Sequence, residues 1–124
     1  RIAAIDCGTN SVRLLVVEVD DRSGLLVDVA REMRIVRLGE GVDATGHLSE
    51  AALERTFAAV EEYARIIEST GADALRFVAT SATRDADNRD VFVSGIRGRL
   101  GVEPEVSTGE TGLRLLATRT EAGR

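Results

Sequence analysis

The stretch Ile2-Ala3-Ala4-Ile5-Asp6-Cys7-Gly8-Thr9-Asn10-Ser11-Val12-Arg13-Leu14-Leu15-Val16-Val17 decides how the rest of the chain is read. An apolar run ends in an acid, a tight turn of small, hydroxyl and amide residues follows, and a second apolar run begins. That is the pattern of strand, loop and strand. One carboxylate and several backbone N–H groups meet at the mouth of the loop, which suits a phosphate and the cation that accompanies it. A purely structural reading stands beside this one: Asp6 can accept N–H bonds from Gly8 or Thr9, and Gly8 to Ser11 can simply join two strands. Cys7 reads as a small packed apolar group rather than a nucleophile.

Outward from this hairpin, the second run continues to Asp20, and Asp20-Asp21-Arg22-Ser23-Gly24 reads as a turn in which Gly24 supplies a positive φ. Leu25 to Leu38 is a third extended segment, with one wet face through Arg34-Ile35-Val36-Arg37-Leu38. Gly39, Gly41 and Gly46 make Gly39 to His47 a loop, in which His47 reads as solvated. Ser49 caps a helix that carries Leu53, Phe57, Val60, Ala64 and Ile67 on one face, pairs Glu61 with Arg65 and stops at Gly71. Ala74 to Thr80 is the next strand, and Ser81 to Asn88 is a polar loop with Asn88 as cap of a helix from Arg89 to Leu100. Gly95 and Gly98 weaken that helix but permit close packing. Pro104 restricts the strand Val102 to Ser107 to a sheet edge, and Thr111 to Glu121 reads as a final helix.

The order β-β-β-α-β-α-β-α predicts an α/β fold with a mixed five-stranded sheet, its helix-linked strands parallel to the first. Ligands of such sheets gather beyond the carboxyl ends of parallel strands. The first strand ends at Asp6 and the fourth at Thr80, so two polar loops are expected at one edge. In the second loop Thr80, Ser81, Thr83 and Arg84 form a cluster. Arg84 suits a clamp on phosphate oxygens; its alternative is an ion pair with Asp85 or Asp87.

The totals bound the function. At 124 residues, 44% hydrophobic and 30% charged, the chain reads as one globular domain over residues 1–124. No apolar run approaches the ~20 residues that span a bilayer, no signal-peptide pattern opens the chain, and no membrane role is expected. The single cysteine excludes an internal disulfide and fits a cytoplasmic protein. A net charge of −5 argues against a nucleic-acid polymer as partner. All 16 basic residues are arginine. Without lysine, neither Schiff-base chemistry nor a P-loop is available, and no Cys/His cluster for zinc exists. The chain begins at Arg1 rather than Met, so a fragment of a longer protein is expected.

Three motifs in order, Asp6-Cys7-Gly8-Thr9-Asn10-Ser11, Arg34-Ile35-Val36-Arg37-Leu38-Gly39-Glu40-Gly41 and Ala79-Thr80-Ser81-Ala82-Thr83-Arg84-Asp85-Ala86-Asp87-Asn88, resemble the Ppx/GppA phosphatase family. These are the exopolyphosphatases and guanosine pentaphosphate phosphatases. The resemblance covers nearly the whole chain and implies an actin-like, ribonuclease H-like fold of two similar lobes with the active site in the cleft between them. Residues 1–124 would be the first lobe, with the second absent. The implied reaction is hydrolysis of a terminal phosphoanhydride in inorganic polyphosphate or guanosine pentaphosphate with magnesium (Mg2+). Asp6 would place the metal, and Gly8, Thr9, Asn10, Ser11, Thr83 and Arg84 would bind phosphate.

Two departures qualify the resemblance. The family's second phosphate loop, Asp-x-Gly-Gly-Gly-Ser, belongs to the second lobe and is absent here. In Ser107-Thr108-Gly109-Glu110-Thr111-Gly112-Leu113-Arg114-Leu115, the family places its water-activating glutamate two residues before the arginine, where this chain has Gly112. Glu110 would have to substitute, yet two residues at a helix start turn a side chain by about 200°. The fragment is therefore expected to hydrolyse little or nothing. The alternatives are a catalytically silent polyphosphate- or nucleotide-binding module, which Gly112 favours, and a sugar or acetate kinase lobe, which Thr83-Arg84 fits poorly. An uncovered apolar face would promote self-association.

Overall fold

In the computed structural model, which describes residues 1–79, 83 and 85–106, the first strand is the centre of the sheet. Strand β1 (Ile2–Cys7) lies antiparallel to β2 (Ser11–Val19) on one side and parallel to β4 (Ala74–Ala79) on the other. Strand β3 (Leu26–Ile35) continues antiparallel beyond β2, and the two-residue β5 (Glu105–Val106) pairs parallel with β4, giving the order β3-β2-β1-β4-β5. The described chain also carries the single turn α1 (Val42–Thr45), the long α2 (Glu50–Thr70) and α3 (Arg89–Leu100). None of them is long and apolar enough to cross a membrane.

The central strands are apolar on both faces, as their unbroken hydrophobic runs require. Ala3, Ile5 and Cys7 of β1, Val12, Leu14 and Val16 of β2, and Phe77 and Ala79 of β4 pack against Leu53, Val60 and Tyr63 of α2 and Phe92 and Ile96 of α3. The opposite sheet face buries Ile2, Leu15 and Val17 as one group and Ala4 with Val78 as another. The β2–β3 turn forms as its residues dictate: Asp20 accepts from the Gly24 N–H at 2.7 Å and from the Ser23 hydroxyl at 2.9 Å, and Gly24 has φ 72°.

Helix α2 starts and stops where its signals lie. The Ser49 hydroxyl accepts the Ala52 N–H at 3.1 Å, and Gly71 closes the helix at φ 71°. Its buried stripe is displaced from the expected one. Leu53 and Val60 are buried, but Ala52, Thr56, Ala59 and Tyr63 join them, while Phe57, Ala64 and Ile67 are only half-buried. Small residues let the helix settle close to the sheet, and Thr56 is tolerated there because its hydroxyl donates to the Ala52 carbonyl at 2.8 Å.

Three further expectations are corrected by tertiary contacts. Glu61 pairs with Arg99 of α3 at 3.2 Å, not with Arg65 one turn away. Asn88 occupies the cap position of α3 without a capping bond. Its amide instead clasps the backbone of Leu48, donating to the carbonyl at 2.9 Å and accepting the N–H at 2.8 Å. The loop Gly39 to His47 contains α1, bracketed by Gly41 and Gly46 at φ 78° and 77°. The expected final helix Thr111 to Glu121, with Ser107, Glu110 and Gly112, lies outside the described residues, as do Thr80, Ser81 and Arg84.

Candidate functional site

Strands β1 and β4 end level. Cys7 sits opposite Ala79 in the parallel register, so the chain leaves the sheet from both strands at the same edge. Strand β1 is also where the sheet changes from antiparallel to parallel pairing, the kind of position at which open α/β sheets bind ligands. This register bears out the expectation that β1 and β4 end at one edge.

Asp6 is the last polar side chain before that edge. Ile5 and Cys7 face the helix layer, and strand alternation therefore turns Asp6 to the other face. It is half-buried there, and Arg13 of β2 lies directly across from it. Opposed residues of an antiparallel pair share a face, so Asp6 and Arg13 project from the same face of the sheet near the strand ends. Arg13 is exposed and has no ion-pair partner among the described residues.

The turn after Asp6 is held by its carbonyls. Gly8 N–H donates to the Ser11 carbonyl at 2.9 Å. The Asn10 carbonyl accepts both Val36 N–H and Arg37 N–H at 2.9 Å, and the Thr9 carbonyl accepts Gly39 N–H at 2.8 Å. These bonds draw the acceptors of the turn toward the segment leaving β3. Thr9 and Asn10 are themselves exposed, and among the described residues no acceptor meets their N–H groups. The outward side of the turn is thus rich in donors, the polarity an anion requires. Gly8 has neither a positive φ nor a crowded Cβ position: an added Cβ would meet the Ser11 carbonyl oxygen at 3.4 Å, an ordinary contact. The fold does not dictate glycine there.

Cys7 is buried in the core, and burial, with the Asp6 charge second, pushes its thiol up to about 12. A protonated, enclosed thiol is not a nucleophile at neutral pH, as its residue type and neighbours suggested. His47 is exposed.

Of the predicted phosphate ligands, Gly8, Thr9, Asn10 and Ser11 stand together at the sheet edge, and Arg84 lies outside the described residues. Thr83 is buried, and among the described residues its hydroxyl has no hydrogen-bond partner. Among the described residues no three His, Cys, Asp or Glu side chains gather as a metal cluster. Asp6 as a lone carboxylate matches the way magnesium is commonly held, by one or two carboxylates with water and phosphate oxygens as the remaining ligands.

Sequence reasoning missed two residues of this edge. Arg13 is placed by the β1–β2 register, and the alternation Ser11-Val12-Arg13 carried a signal for it. Arg37 is placed by backbone bonds between the β3 exit and the Asn10 carbonyl, which no local pattern announces.

The Ppx/GppA phosphatase family model matches residues 15–118 of the chain. Exopolyphosphatase 2 of Mycobacterium tuberculosis is 52% identical over 103 residues, covering 82% of this chain and 32% of that protein. Exopolyphosphatase 1 of the same organism is 34% identical over 115 residues, covering 93% and 33% respectively. The crystal structure of the Aquifex aeolicus Ppx/GppA family member has a TM-score of 0.82 at 35% identity, over 88% of this chain and 35% of that one. The chain spans about a third of the length of these relatives.

Proposed function

The chain belongs to the Ppx/GppA phosphatase family, and from that premise we propose that it forms one wall of a phosphate site in a longer cytoplasmic phosphohydrolase. The substrate is a linear anion ending in a phosphoanhydride: inorganic polyphosphate first, as the names of its relatives suggest, and guanosine pentaphosphate second. One observation carries the reading: the half-buried Asp6 and the donor-rich Thr9-Asn10 turn lie together at the level ends of β1 and β4.

Each residue has a role in this reading. The N–H groups and side chains of Gly8 to Ser11 cradle the terminal phosphate, and Arg13 offsets its charge. Thr83 and Arg84 bring the second loop, with Arg84 as the bidentate clamp. Asp6 would hold magnesium. When bound, such an ion neutralises charge on the phosphate oxygens and orients them. Hydrolysis then depends on positioning and charge neutralisation more than on covalent chemistry. Glu110 is the proton acceptor that the chain offers, because Gly112 has no side chain to take a proton. The remaining wall belongs to a second lobe, and a second copy of the chain is a further partner, which sedimentation tests.

The test is release of orthophosphate from long-chain polyphosphate and from guanosine pentaphosphate by the full-length protein with magnesium. Turnover of either supports the reading. Tight binding without release supports the silent module, which Gly112 favours, and neither binding nor release overturns both.

A further inference from the structure

Arg37 has a backbone that arginine rarely adopts. Its φ is 52°, the one positive value at a non-glycine residue among those described. In this region Cβ crowds the following carbonyl oxygen, and glycine would relieve the strain. The surrounding bonds impose the conformation. Val36 and Arg37 N–H groups converge on the Asn10 carbonyl at 2.9 Å, and Gly39 N–H reaches the Thr9 carbonyl at 2.8 Å. From the other side, Arg55 donates to the Val36 carbonyl at 2.8 Å, to the Arg37 carbonyl at 3.4 Å and to the Glu40 carboxylate at 2.8 Å.

These constraints leave the side chain of Arg37 outside. Val36 and Leu38 on either side are buried, while Arg37 is exposed next to the Thr9-Asn10 turn. Its guanidinium has no partner among the described residues. The neighbouring arginines are engaged: Arg34 with Glu62, and Arg55 with Glu40. An exposed arginine is ordinarily just solvated, and solvation gives no reason for a strained backbone. Strain that persists because its surroundings hold it is a mark of functional positions.

We propose that the Arg37 guanidinium binds a phosphate group behind the terminal one, when the terminal phosphate lies in the Gly8 to Ser11 turn. This rests on the reading of that turn as a phosphate site and adds a determinant of chain length to it. The ligand is a linear chain of phosphates long enough to reach from the turn to the β3 exit. Orthophosphate, which fills only the turn, does not use Arg37.

The experiment measures binding of orthophosphate, tripolyphosphate and long-chain polyphosphate to the full-length protein over a range of salt concentrations. It compares wild type with Arg37→Gly, Arg37→Lys and Asp6→Asn. Arg37→Gly is expected to weaken long-chain binding about 10-fold, the loss of one charge-assisted contact. Its log–log salt slope should fall by about 0.7, as for one contact to a single-stranded polyanion. Orthophosphate binding should not change, and Tm should equal or exceed that of wild type because glycine accepts the backbone. Arg37→Lys should recover part of the affinity, as a point charge without the planar fork. Wild-type affinity and salt slope in Arg37→Gly, with binding impaired in Asp6→Asn, would overturn the role of Arg37 and leave the turn standing. Equal weakening for orthophosphate and the long chain, with a lowered Tm, would mark Arg37 as structural. A wild-type protein that binds none of the three would remove the phosphate reading and this inference together.

Discussion

At Gly8 the space around the backbone separates folding from function. Its backbone suits any residue, and an alanine Cβ would stand 3.4 Å from the Ser11 carbonyl oxygen. Gly8→Ala is therefore expected to change stability by less than about 0.5 kcal/mol. The added methyl would crowd a phosphate lying against the turn, so activity of the full-length protein should fall on the order of 10-fold or more. Thermal melting and phosphate release on the same samples check both halves. Cys7 offers a second residue-scale prediction. Its thiol is pushed up to about 12 by burial and then by the Asp6 charge, against about 8.5 in an unfolded chain. The folded state thus holds its proton more tightly, and the associated stability is present below about pH 8.5 and lost as pH rises toward 12. Cys7→Ala should flatten the decline in urea midpoint between pH 8 and about 10.5. Native protein should also resist alkylation at pH 8 and react once unfolded.

At the scale of elements, the contact between α2 and α3 is set by Gly95. A Cβ there would lie 2.3 Å from Phe57 Cζ. The ring cannot simply swing away: it stacks on Phe92 with centroids 6.3 Å apart, and the Arg99 guanidinium lies 4.2 Å from its centroid. Gly95→Ala should destabilise the fold by about 1–3 kcal/mol through overpacking, although alanine is the better helix former by about 1 kcal/mol. Chemical denaturation decides between the two effects. The edge strand β5 is tied to β4 by Arg76, which reaches both oxygens of the Glu105 carboxylate, at 2.8 and 2.5 Å. Those bonds hold the Glu105 carboxyl below the usual carboxylate range. Their stability is present above the unfolded value of about 4.3 and is lost as pH falls through the lowered one. Because the Glu105 end of the pair is solvent-exposed while Arg76 is half-buried, the effect is screened to about 1 kcal/mol, seen as an acid-side loss in the denaturation midpoint that Glu105→Gln abolishes.

The elements also show what local sequence carries. Helix α3 runs over the expected Arg89 to Leu100, and α2 begins after Ser49 and ends at Gly71, because its cap and glycine stop act within one turn. Asn88 and Glu61 misled for the opposite reason. Their best partners, Leu48 and Arg99, are 40 and 38 residues away, and a tertiary partner outcompetes a nearby one without leaving a local trace. The stripe of α2 moved because Ala52 and Ala59 are small enough to approach the sheet, a property that a hydrophobic pattern does not weigh.

For the whole molecule, the shared edge at which β1 and β4 end was legible because helix-linked strands run parallel, so Asp6 and the end of β4 had to lie at one edge. The placing of Arg13 opposite Asp6 needed the hairpin register, and the position of Arg37 needed the bonds from the β3 exit to Thr9 and Asn10. Burial of Thr83 was equally invisible to a motif whose residues all look polar. The chain spans about a third of the length of its relatives, and if it supplies one side of a cleft as proposed, residues 1–124 alone are expected to release little or no phosphate.

The most direct test compares orthophosphate release from long-chain polyphosphate by the full-length protein, its Asp6→Asn variant and His47→Gln, a change at an exposed loop residue. If Asp6 and the turn beside it form the phosphate wall, Asp6→Asn loses activity on the order of 100-fold while still unfolding in one cooperative transition, and His47→Gln keeps the wild-type rate. An Asp6→Asn protein that turns over polyphosphate as fast as wild type would contradict the account.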